Sequence, residues 1–122
     1  KEGACYDISS FLFRLYPILM VKAGIEKQYY NKAVDIIQNC LKTLQQKKVD
    51  SETLEQAKQN MIRYYISMKD SQTALMDFAL NEWILKTNRT IEQFIKEIKQ
   101  VTAEDVQKRA KEIHLNTIYF LQ

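Results

Sequence analysis

One histidine, two cysteines, seven tyrosines and 15 acidic residues are the groups in this 122-residue chain best suited to chemistry. Hydrolytic or redox chemistry needs them to converge, as a nucleophile beside a base, a carboxylate pair or a set of metal ligands. His114, Cys5 and Cys40 are too few and too widely spaced for a zinc site. With glycine only at Gly3 and Gly24 there is no loop to cradle a phosphate. His114 is expected at the C-terminal end of the last helix, where its charge meets the helix dipole. Cys5 and Cys40 are expected as buried free thiols, Cys40 on the apolar side of a helix. Glu52 and Glu55, Glu92 and Glu97, and Glu104 and Asp105 fall on helix starts or polar faces beside basic residues, as solvated faces and helix-end stabilisation require. Asn88-Arg89-Thr90 matches a glycosylation acceptor, which has consequences only in a secreted protein. Tyr6, in a predicted strand, reads on its own as core or cross-strand packing. On these residues the chain is not an autonomous enzyme.

The composition is 46% apolar and 27% charged with two Gly and one Pro, which suits a helix-rich globular chain. Eighteen basic against 15 acidic residues leave a net charge of +3 with no basic block, so nucleic acid is not implied. The longest apolar run, around Ile18-Leu19-Met20-Val21, is strand-sized and soon meets Lys22, so no membrane span is expected. With no signal segment in view, a cytoplasmic location is the expectation. The chain opens without Met in a polar turn, and residues 1–122 read as one partial domain, the back portion of a larger one. Residues 4–12 and 18–24 predict an antiparallel hairpin broken at Arg14 to Pro17. From Glu26 to about Gln46 the apolar period is helical, through Tyr30, Ala33, Val34, Ile37, Leu41 and Leu44. Asp50 should cap a second helix to about Lys69, with Leu54, Ala57, Met61, Tyr64 and Met68 as its stripe. A third, capped by Asp70 or Ser71, carries Leu75, Phe78 and Ala79 and ends in Trp83-Ile84-Leu85, a stretch expected to be buried. Thr90-Ile91-Glu92-Gln93 is a capping box for a helix to Lys99, and Thr102 caps another to about His114, with Val101 and Val106 at staple positions. Thr117 to Leu121 is expected to close as a strand. The fold class is α+β: a mainly antiparallel sheet with helices packed on one face, truncated at its N-terminal side.

Four stretches in this order carry a resemblance. They are Lys1-Glu2-Gly3-Ala4-Cys5-Tyr6-Asp7-Ile8-Ser9-Ser10; Met20-Val21-Lys22-Ala23-Gly24-Ile25 with Tyr30-Asn31-Lys32-Ala33; Val49 to Lys58; and Val101 to Ala110. Together they resemble the C-terminal homologous domain of the insulinase-like (pitrilysin) metallopeptidases over nearly the whole chain. The resemblance implies one half of a clamshell that closes around an unfolded peptide, with zinc on an inverted H-x-x-E-H helix in the other half. The non-zinc half of that family supplies an arginine and, soon after it, a tyrosine that hold the substrate at the scissile bond. Tyr6 matches the tyrosine in its Gly3-Ala4-Cys5-Tyr6 context, and the matching arginine would precede Lys1. The implied function is a non-zinc half that encloses and orients a peptide. The implied partners are the rest of the parent chain or a homologous zinc-bearing half, a peptide substrate and a possible second copy, with no nucleic acid and no membrane. No cofactor is implied in this chain, and zinc belongs to the partner half. The family also holds non-catalytic subunits, so a purely structural or interaction domain stands as the alternative.

Overall fold

A computed structural model describes residues 6–121. The fold is α+β, with a two-stranded antiparallel sheet and five helices among those residues. The strands are β1 (Asp7–Phe13) and β2 (Ile18–Gly24), paired from Asp7 opposite Gly24 to Phe13 opposite Ile18. The hairpin reverses over Arg14 to Pro17, where the proline has no N–H to lose from the ladder. A single 3-10 turn, Lys27–Tyr29, leads into α1 (Tyr30–Gln46). Then come α2 (Ser51–Ser67), a 3-10 turn at Met68–Asp70, α3 (Gln72–Ile84), α4 (Ile91–Gln100) and α5 (Ala103–Lys111).

The helix starts follow local chemistry. The Asp50 carboxylate accepts from the Thr53 N–H at 2.8 Å, and Ser71 rather than Asp70 caps α3 by accepting from the Ala74 N–H at 3.3 Å. At α4 the capping box is complete: Gln93 N–H donates to Thr90 Oγ1 at 3.2 Å and Thr90 N–H donates to Gln93 Oε1 at 2.8 Å. At α5 the same reciprocal pattern uses Asp105, which accepts from the Thr102 N–H at 2.9 Å while its own N–H donates to Thr102 Oγ1 at 3.2 Å.

The chain divides into two compact units, one running to Lys48 and resuming at Gln107, the other Val49–Val106. In the first, Ala33 of α1 and Ala110 of α5 are buried. Gln45 Nε2 donates to the carbonyls of Ala110 and Ile113, each at 3.1 Å, and Gln107 Nε2 donates back to the Gln45 carbonyl at 3.2 Å. These bonds tie the C-terminal ends of α1 and α5 together, and the Ala110 carbonyl also accepts from the Ile113 N–H at 3.1 Å. The predicted stripe of α1 is buried or half-buried at every position from Tyr30 to Leu44.

In the second unit Ile62, Tyr65, Phe78, Ile91 and Ile98 form the core, with Met68, Phe94 and Ile95 against it. Tyr65, Phe78 and Phe94 make a three-ring cluster with centroids 5.0 to 6.2 Å apart, each pair adding about 0.5–1.5 kcal/mol beyond area burial.

Several expectations are corrected. The buried side of α2 runs Leu54, Lys58, Ile62, Tyr65 and Met68, so Ala57, Met61 and Tyr64 face solvent. The α2 sequence contains two apolar stripes one residue apart, and the core ring of Tyr65 decides between them. Trp83 is 72% exposed, and its neighbour Glu82 is the buried one at 3%. Cys40 is an exposed thiol, and Cys5 lies outside the described residues. Residues 117–121 form no strand; Phe120 instead stacks on Tyr30 with centroids 4.7 Å apart. Helix α5 ends at Lys111, so exposed His114 lies beyond the last turn, where the dipole effect has faded.

Candidate substrate-contact site

Tyr6 stands just ahead of β1, at the open end of the hairpin. Its N–H donates to the Gly24 carbonyl at 2.8 Å, which extends the ladder and holds its backbone against the β2 to α1 connection. Continuing the register by one residue sets Tyr6 opposite Ile25, the neighbour of Glu26. The ring is 77% exposed and is not part of a core among the described residues. Its hydroxyl donates to Glu26 Oε1, and Gln28 Nε2 donates to Glu26 Oε2 at 2.6 Å. The bond to Glu26 raises the phenol above its ordinary range, and the same bond, helped by Gln28, lowers the carboxyl below its own. The site is therefore a phenol O–H donating to a carboxylate, both open to solvent.

Glu26 and Gln28 escaped the reading of the sequence, although the hairpin register carried the signal for Glu26. No spacing rule connects residues 20 apart; only a folded hairpin does.

The other candidates are not brought together. Glu55 pairs with Lys58 at 2.8 Å, Glu92 with Lys69 at 2.5 Å and Glu97 with Arg89 at 2.8 Å, so the acids serve separate ion pairs. Among the described residues no group of three or more His, Cys, Asp and Glu side chains could hold a metal ion. A zinc ion, which takes about four such ligands, does not fit these residues. No helix of the described residues is long and apolar enough to cross a membrane.

A second cluster was not anticipated from the sequence. Glu82 Oε2 accepts from Thr87 Oγ1 at 2.5 Å, from the Arg89 N–H at 3.0 Å and from Arg89 Nε at 3.3 Å. Arg89 also lies over the Phe94 ring, 4.2 Å from its centroid. This carboxylate ties down the α3 to α4 connection, where Lys86 and Asn88 take positive φ values of 55° and 48°. Its role is structural, and Asn88 of the acceptor pattern belongs to that strained turn.

Comparison with known proteins agrees with the residues. The peptidase M16 inactive domain matches residues 1–61, half of the chain. A probable inactive metalloprotease, YmfF of Bacillus subtilis (strain 168), is 27% identical over 122 residues, which is all of this chain and 29% of that protein. The chain thus spans less than a third of the relative's length. On the family match, the chain belongs to the insulinase-like (M16) metallopeptidases, as part of their inactive, non-zinc domain.

Proposed function

We propose that this chain is part of the non-zinc half of an insulinase-like peptidase or of its inactive relative, and that it encloses and orients a peptide substrate. Its contribution is physical, since confining a flexible chain fixes its orientation for chemistry performed elsewhere. Zinc, where the parent is active, belongs to the partner half. The observation that supports the reading is Tyr6: matched to the family's tyrosine by its sequence context, it is exposed and its hydroxyl is a hydrogen-bond donor. In this role the hydroxyl donates to the peptide oxygen that gains charge as the bond breaks. A cytoplasmic setting is part of this proposal, one in which Cys40 would stay a reduced thiol.

Tyr6→Phe in the full-length protein, assayed on an unfolded peptide with its zinc-bearing half, keeps the ring and removes the donor. Turnover should fall by roughly a hundredfold, the usual effect of losing one donor to developing charge. Unchanged turnover would end the proposed role. The structural or interaction reading is favoured by one observation, that both the matching domain and the relative are described as inactive. Absence of cleavage by the wild-type pair on any unfolded peptide would select it.

A further inference from the structure

A phenol has one proton to donate and lone pairs with which to accept. In Tyr6 that proton is engaged by Glu26, so the hydroxyl offers solvent only its accepting side. An oxygen gaining charge on a bound peptide requires the same proton, and two acceptors cannot hold it together. Glu26 is the stronger acceptor against a neutral carbonyl, because bonds to an ionised carboxylate are about twice as strong as neutral ones. Gln28, donating at 2.6 Å to the other carboxylate oxygen, holds Glu26 in place for this contest.

We infer that Glu26 is a further residue of the Tyr6 site, a competitor that withholds the tyrosine proton from a neutral peptide carbonyl and yields it to an oxygen carrying negative charge. The inference rests on the proposed role of Tyr6 and adds selectivity to it. Interactions that strengthen only in the transition state raise turnover, whereas equal binding of ground and transition states does not. Glu26 works in that direction, because an intact peptide cannot displace it and a developing oxyanion can. The raised phenol and lowered carboxyl express the same preference for leaving the proton between them.

The test compares Glu26→Gln, Tyr6→Phe and the double variant in the full-length protein. The readouts are affinity for a fluorescein-labelled unstructured peptide of mixed sequence and kcat and KM for its cleavage. Glu26→Gln replaces an ionised acceptor by a neutral one of the same shape. It should tighten binding of the intact peptide by roughly threefold or more, the difference between charged and neutral hydrogen bonds reduced by exposure. KM should fall with it and kcat should fall rather than rise, because the bond gained by the intact peptide is not gained again in the transition state. The gain should vanish in the double variant, which should match Tyr6→Phe. A role in folding alone would give loss, not gain, and would not depend on Tyr6. If Tyr6→Phe changes nothing, the proposed role of Tyr6 falls and this inference with it. If Tyr6→Phe weakens turnover but Glu26→Gln leaves peptide affinity unchanged or lowers it, this inference alone is overturned.

Discussion

The hydrogen bond from Tyr6 to Glu26 pushes the phenol up and the carboxyl down, because each is held in its bonded protonation state. A phenol whose folded pKa is raised contributes stability below its unfolded value, lost as pH rises through the folded value. A carboxyl whose folded pKa is lowered contributes stability above its unfolded value, lost as pH falls through the folded one. The contact should therefore hold from the acidic side of the usual carboxyl range to the alkaline side of the usual phenol range. A difference absorbance titration of the wild type against Tyr6→Phe isolates one of seven tyrosines. It should show Tyr6 ionising above the ordinary phenol value, with Glu26→Gln moving it back. A midpoint at or below the ordinary value in the wild type would show that the bond does not form in solution. Tyr6 was legible as a candidate from its sequence context; its engagement by Glu26 was not, because the two residues meet only through the hairpin.

At the scale of the element, α3 shows how a polar residue can take the inward position from the largest aromatic in the chain. Its buried and half-buried positions are Ala74, Phe78, Asn81 and Glu82, with Leu85 at its C-cap, a helical stripe that leaves Trp83 on the outside. Glu82 goes inward because the connection behind it presents three donors that a buried apolar side chain could not satisfy. Glu82→Ala leaves Thr87 Oγ1 and the Arg89 N–H and Nε without this acceptor, although Arg89 keeps Glu97, and should destabilise the fold by about 3 kcal/mol. Trp83→Ala removes an exposed ring and should stay within about 0.5 kcal/mol of the wild type. Chemical denaturation of both variants checks the pair. The opposite ranking, with Trp83→Ala the more damaging, would place the ring rather than the carboxylate inside. Apolar density at Trp83-Ile84-Leu85 pointed the other way because hydrophobicity counts side chains and does not count donors awaiting an acceptor.

At the scale of the whole molecule, the hairpin leaves its large apolar side chains uncovered. Opposite residues share a face, so Ile8, Val21, Leu12 and Leu19 lie on one side and Phe11, Met20, Phe13 and Ile18 on the other, all of them exposed. Strands apolar on both faces are built to be covered twice. A two-stranded hairpin alone is marginal in water and its free edges accept other strands. The 122-residue chain by itself should therefore self-associate, with a mass in light scattering that rises with concentration. Lysines at Leu12 and Leu19 should reduce the effect. A monomer mass constant over a wide concentration range would show that the hairpin is protected.

What the residues determined alone was the succession of a hairpin and five helices, and where the helices start. Capping at Asp50, Thr90 and Thr102, the Pro17 break and the helical period of α1 are local effects, decided within a few residues, and each appears where the chemistry puts it. The family was legible too, because its pattern lies along the chain. Tertiary structure decided which of two stripes on α2 faced Tyr65, whether Glu82 or Trp83 turned inward, and what became of residues 117–121. A helix with more apolar residues than one face can hold has several rotations of similar cost, and only its neighbours choose among them. The same reason separates Tyr6, visible in its sequence context, from Glu26, which becomes its partner only when two strands align.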